Sequence, residues 1–150
     1  MNDKIQIRPA VESDLEAVRT LYEHLNRSDP MLPADRLLGA WMDLLRNHAV
    51  TCLVAEAQGE VVSTCTLVIV PNLSRSARPY AFIENVVTHE QHRRQGLGTA
   101  VLRAALELAW SRGCYKVSLM TGSTRDETLR FYEHAGFKRG EKTAFVARPV

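Results

Sequence analysis

Two kinds of residue that do chemistry fall within one short stretch of this chain. The first is a carboxylate, Glu84, set in the otherwise apolar run Phe82-Ile83-Glu84-Asn85-Val86-Val87. The second is a basic, glycine-bearing loop, Arg93-Arg94-Gln95-Gly96-Leu97-Gly98-Thr99, that leads into a helical apolar periodicity. A helix start carries unpaired backbone N–H groups and a partial positive charge. Glycines let a ligand approach that backbone closely, and arginines add full charge. Together they describe a cradle for the phosphate groups of a small ligand. His89 and His92 in the same loop, and His134 further along, are alternative bases by their ordinary pKa. Each is read first as a surface residue.

Two glycine motifs are excluded by the same residues. A dinucleotide fingerprint needs a third glycine where Val101 stands, and a bulky side chain there blocks close packing. A nucleotide-triphosphate loop needs Gly-Lys-Ser/Thr, which the chain lacks. What is left is Arg-x-x-Gly-x-Gly, after a strand and at a helix start.

The elements that must position these residues follow from periodicity. Residues 5–8 form a strand stopped by Pro9, and Ser13-Asp14-Leu15-Glu16 reads as a capping box opening a helix. Leu15, Val18, Leu21, Tyr22 and Leu25 give that helix its apolar side. Residues 26–33 form a loop, and residues 35–47 a second helix that carries Trp41 as core or groove wall. Residues 51–57 and 61–70 form a hairpin about Gln58-Gly59-Glu60. Residues 71–79 form a loop that either borders a substrate entrance or simply connects, and Arg75 and Arg78 within it are read as solvated. Tyr80–Thr88 is a strand rich in β-branched and aromatic residues. A helix of about four turns starts at Gly96 and ends at Arg112-Gly113. Residues 115–120 form a strand, Ser123 or Thr124 caps a further helix, Ala135-Gly136-Phe137 ends it, and residues 143–148 form a last strand. The order predicts an α/β fold with one mixed sheet flanked by helices, in a single domain spanning 1–150. A crossover helix between Tyr80–Thr88 and residues 115–120 makes those strands parallel, and ligands bind beyond the carboxyl ends of such strands.

Composition narrows the function classes. The chain has 150 residues, 45% of them hydrophobic, and a formal charge of +2. That is enough apolar material for a core and too little positive charge for bulk nucleic-acid binding. Cys52, Cys65 and Cys114 show neither Cys-x-x-Cys nor His-Cys spacing, so no metal is expected and buried free thiols are. No run approaches the roughly 20 apolar residues of a membrane span. No membrane association and a cytoplasmic location are expected.

At its central stretch the chain resembles the GNAT superfamily of acyl-CoA-dependent N-acyltransferases. Arg93-Arg94-Gln95-Gly96-Leu97-Gly98 is similar to that family's pyrophosphate loop, and Val86 and Val87 to the apolar strand end before it. Leu129-Arg130-Phe131-Tyr132-Glu133-His134-Ala135-Gly136-Phe137 resembles its late helix with a tyrosine and a Gly-Phe ending. The resemblance implies acetyl-CoA as acyl donor. Backbone N–H groups of residues 94–98, with Thr99, would hold its pyrophosphate, and Arg93 would serve through its backbone ahead of its charge. Val86 and Val87 would pair with the pantetheine arm in a V between splayed parallel strands. One departure stands out: many relatives carry an asparagine seven residues before the tyrosine, where this chain has Arg125.

The chemistry implied is N-acetyl transfer to a primary amine of a small molecule, with no nucleic-acid partner. A protein lysine or N-terminus is the alternative acceptor, and a non-catalytic acyl-CoA-binding regulatory module the rival of another class. Glu84 is the candidate base, its carboxylate expected to be raised in pKa by burial on the strand. The run around it also resembles the strand of glucosamine-6-phosphate N-acetyltransferases that carries an acidic residue. An N–H of the Val86–Val87 segment would stabilise the oxyanion. Tyr132 is the candidate acid for the leaving thiolate. By analogy, a homodimer paired through late strands is admitted.

Overall fold

A computed structural model of the chain describes residues 5–150. Residues 1–4 lie outside the described residues. Strands β1 (Gln6–Pro9), β2 (Val50–Ala57), β3 (Glu60–Val70), β4 (Tyr80–Thr88) and β5 (Val117–Leu119) form one sheet in sequence order. The first four pair antiparallel, and β4 pairs with β5 in parallel, as the crossover helix requires. The β2–β3 hairpin turns on Gln58 and Gly59 at φ 55° and 81°. Positive φ at both central residues suits the twist of the flanking strands.

Alternation along the strands sends side chains to two faces. Leu53, Cys65, Leu67, Ala81 and Ile83 meet Val101, Leu102 and Ala105 of helix α3 (Leu97–Ser111) on one face. Cys52 and Val54 meet Val18 of α1 (Leu15–Leu25) and Trp41 of α2 (Ala34–Arg46) on the other. Each fully buried leucine or isoleucine contributes roughly 2 kcal/mol. Trp41 is core, with its indole N–H donating to the Glu12 carbonyl at 3.1 Å. Cys52, Cys65 and Cys114 are buried free thiols, and burial pushes the Cys65 thiol up to about 12. The fourth helix, α4 (Asp126–His134), follows β5.

Two details depart from the sequence reading. Ser13 does not open α1: residues Glu12–Asp14 form a 3₁₀ turn, and the Asp14 carboxylate accepts the Val11 N–H at 2.8 Å. The Asp14 carboxylate also accepts from Arg8, and this second bond fixes the turn ahead of α1. No strand forms at residues 143–148, where Phe145 and Val146 are exposed. β-propensity supplies a preference but not a partner, and β5, three residues long, offers too short an edge. Arg75 and Arg78 are exposed, as read from the sequence. Arg78 donates to the Gly113 and Cys114 carbonyls, both at 3.4 Å, and Arg75 lies 5.8 Å from the Tyr115 ring centre.

Arg8 ties β1 to α1 and β2. Its guanidinium donates to both Asp14 oxygens at 2.7 and 3.0 Å and to Glu56 at 2.9 Å. The hydrogen bond from Arg8 is the chief force holding the Asp14 carboxyl below its ordinary pKa. A lowered folded value means the pair stabilises the fold above the unfolded value, near pH 4, and the contribution is lost as pH falls through the folded value. Asp14→Asn should therefore cost about 2 kcal/mol at pH 7, less than a fully buried pair because Arg8 is partly hydrated. The cost should shrink progressively below pH 4, read as urea midpoints of the two proteins.

Candidate functional site

The site exists because β4 and β5 stop pairing. Their register covers only Ala81↔Val117, Phe82↔Ser118 and Ile83↔Leu119. Just beyond, β4 bulges. Thr66 faces Glu84 and Thr64 faces Val87, so Asn85 and Val86 stand opposite Cys65 alone. Asn85 takes up the extra residue at φ 53°, a left-handed conformation that asparagine tolerates better than most residues. A bulge bends its strand, and β4 turns away from β5.

Two cavities lie along the parting. The larger, about 550 Å³, runs from Val86, Val87 and Thr88 to the start of α3 and across to α4. The smaller, about 260 Å³, is lined by Glu84, Asn85, Val86, residues 119–122 and Tyr132. Leu25, Val86 and Tyr132 border both, so the two form one continuous groove.

The larger cavity gathers helix starts and basic side chains. α3 begins after Gly96, which sits at φ 77° and leaves the helix start without a side-chain cap. α4 begins after Arg125, also without a side-chain cap. Ser123 or Thr124 was expected to cap it, but neither does, and the Ser123 hydroxyl accepts the Arg125 N–H at 3.3 Å, one step outside the helix. Two helix starts with free N–H groups thus meet one cavity, and Arg93, Arg94 and Arg125 line it as well. Gly98 is needed for packing. A Cβ there would lie 3.0 Å from the Phe131 ring and 3.1 Å from Thr88 Oγ1.

The sequence-derived site residues divide in the structure. Val86, Val87, Arg93, Arg94, Gly96, Leu97, Gly98 and Thr99 all line the larger cavity. Gln95 does not, its amide donating to the Gln91 carbonyl at 3.5 Å. Arg93 turns its guanidinium back to the Thr88 carbonyl at 3.2 Å, so its charge is already engaged by the chain. Glu84 and Tyr132 meet at the smaller cavity. Tyr132 is half-buried, and burial pushes its phenol above the ordinary value. Glu84 is exposed, contrary to the burial expected for it. Register puts it on the α1 face of the sheet, opposite Thr66, where the parted strands leave it uncovered. The loop at residues 71–79 borders neither cavity.

Several lining residues escaped the sequence reading. His24 and Leu25 come from the end of α1, and His24 stacks edge-on against His89 at 4.6 Å, joining the helix to the loop before α3. Thr128 and Phe131 come from α4. The exposed Leu25 was legible only as the last apolar residue of its helix. Nothing in the local sequence marked Thr128.

The pattern of the acetyltransferase (GNAT) family matches residues 15–137. The chain belongs to that family, and it is an acetyl-CoA-dependent N-acetyltransferase. A glucosamine 6-phosphate N-acetyltransferase of Trypanosoma brucei brucei is 31% identical over 140 residues, 92% of each chain. A solved structure from Agrobacterium tumefaciens described as an acetyltransferase is 44% identical, with TM-score 0.92 over 96% of this chain and 99% of that one. Another, from Bacillus halodurans and described as a transcriptional regulator, is 30% identical, with TM-score 0.83 over 97% of this chain and all of the other, 100%.

The glycines of the cradle are predicted to differ. Gly98→Ala overpacks against Phe131 and Thr88 and should cost about 1–3 kcal/mol. Adding Phe131→Leu should recover part of that loss by making room. Gly96→Ala meets no atom within 4 Å and should cost only about 1 kcal/mol, from backbone strain. Thermal melts of the four proteins would check the ranking.

Proposed function

We propose that this chain acetylates the amine of glucosamine 6-phosphate, with Glu84 as base and Tyr132 as acid. The observation that carries the acceptor is the likeness, over nearly the full length of both chains, to the trypanosomal enzyme of that name. The site supports it in two ways. The acceptor cavity is small, about 260 Å³, which favours a compact amine over a protein lysine or N-terminus. It also brings a carboxylate and a phenol to one space where the strands part. Its lining carries no cation, so the sugar phosphate projects beyond it.

Acetyl-CoA supplies an activated thioester whose phosphates suit the uncapped helix starts and whose arm suits the open edge of β4. Backbone N–H groups of residues 94–98, with Thr99, hold the pyrophosphate. Val86 and Val87 align the arm as an added strand would, and an N–H from this segment bonds the thioester carbonyl as negative charge develops on its oxygen. Glu84 removes a proton from the attacking ammonium, directly or through a water. Tyr132 donates its phenolic hydrogen to the departing sulfur. Its raised pKa keeps that hydrogen in place throughout the neutral and mildly alkaline range.

The test is release of free thiol from acetyl-CoA with glucosamine 6-phosphate, glucosamine and a lysine peptide as acceptors. The sugar phosphate should be used best. Glu84→Gln should lower kcat on the order of 10²-fold and Tyr132→Phe at least about tenfold, each with KM for acetyl-CoA nearly unchanged. Full activity in both variants would remove the acid–base pair. Coenzyme binding without thiol release for any acceptor would favour a regulatory role, the reading that the Bacillus halodurans relative's description brings forward.

A further inference from the structure

Three arginines line the larger cavity, and they are not equivalent. Arg93 is committed to the Thr88 carbonyl. Arg94, on the phosphate loop at φ 61°, and Arg125, at the start of α4, converge instead on one carboxylate. Glu127 Oε1 lies 3.7 Å from Arg94 Nη2, and Glu127 Oε2 lies 3.2 Å from Arg125 Nη2. All three side chains are more than half exposed, and all three residues line the cavity. The carboxylate thus bridges the groove from α4 to the loop before α3.

Helix stability does not require Glu127 in this position. A negative side chain in the first turn of α4 offsets the positive helix end, but Asp126 already supplies one and pairs with Arg130 at 2.8 Å. What Glu127 does supply is an anion whose two oxygens each take one guanidinium. That is the geometry in which arginines hold a phosphate. The exposed carboxylate bridges are weak, so a dianion with three acceptor oxygens can take the carboxylate's place. The pyrophosphate of the coenzyme already has the backbone N–H groups at the start of α3. The phosphate left to claim the pair is the one on the ribose.

We infer that Arg94 and Arg125 form a clamp for the 3′-phosphate of coenzyme A, which Glu127 occupies in the free protein and surrenders on binding. The inference rests on the coenzyme reading of the larger cavity. It makes Arg125 a residue that distinguishes coenzyme A from dephospho-coenzyme A, and Glu127 an internal competitor that sets how strongly.

Isothermal titration of the full chain with coenzyme A and with dephospho-coenzyme A, at one fixed salt concentration, tests this without turnover. The native protein should prefer coenzyme A. Arg125→Asn should weaken coenzyme A roughly five- to tenfold and leave dephospho-coenzyme A within about twofold. Glu127→Gln should tighten coenzyme A about threefold more than it tightens dephospho-coenzyme A, and the Arg125→Asn, Glu127→Gln double variant should lose most of that gain. Equal effects of Arg125→Asn on both ligands, or a ratio unmoved by Glu127→Gln, would overturn the clamp while leaving the coenzyme site standing. Failure of the native chain to bind either ligand would remove the coenzyme reading and the clamp together.

Discussion

The parting of β4 from β5 is the constraint on which the rest of the site depends. Three paired positions hold the strands together, and the extra residue in β4 then sends them apart. Had the pairing continued, β5 would cover the edge of β4 from Glu84 onward. No groove would form, and Tyr132 on α4 would have no space to share with Glu84. The bulge thus acts twice: it frees a strand edge for a ligand, and it leaves Glu84 uncovered on the α1 face. Asn85, at φ 53°, bears a conformational cost of about 1 kcal/mol for both.

A second cost is electrostatic. α3 and α4 both start without a side-chain cap, facing the same cavity as Arg94 and Arg125. Each missing cap forgoes about 1 kcal/mol, and like charges around one groove repel. The chain offsets these losses elsewhere. The opposite sheet faces are filled by two separate apolar clusters, and Arg8 locks the first strand to the first helix and to β2.

How much of this was legible follows from which signals are local. Strand Tyr80–Thr88 and the helix beginning beside Gly96 carry strong local patterns, alternation in one and helical spacing in the other, and both form where the pattern puts them. The loop from Arg93 to Thr99 was legible as part of a site for the same reason, since its glycines and arginines are consecutive, and all of it but Gln95 lines the larger cavity. Residues 143–148 show the limit. Their β-branched and aromatic content is as strand-like as that of β1, but a strand is made by its neighbour, and β5 offers only three residues. Ser13 lost its expected role to Asp14 because Arg8, distant in the fold's logic though near in sequence, gave the carboxylate a second bond. The burial of Glu84 was misjudged because the end of the β4–β5 pairing at Ile83 is invisible to alternation. The run Glu84-Asn85-Val86-Val87 reads as continuous strand until the register with β3 is known. His24, Leu25 and Thr128 reach the groove only through the packing of α1 and α4, which no local pattern records.

The buried cysteines have a consequence for chemistry outside the protein. A transferase of this class sets free a thiol at each turnover. Exchange between that thiol's disulfides and a protein requires a thiolate the attacker can reach. Cys52, Cys65 and Cys114 are all shut inside, and burial raises the pKa of each. The folded chain is therefore inert toward mixed-disulfide formation with its own product. A colorimetric sulfhydryl reagent mixed with the working enzyme reads the product alone, with no background from the protein's sulfur.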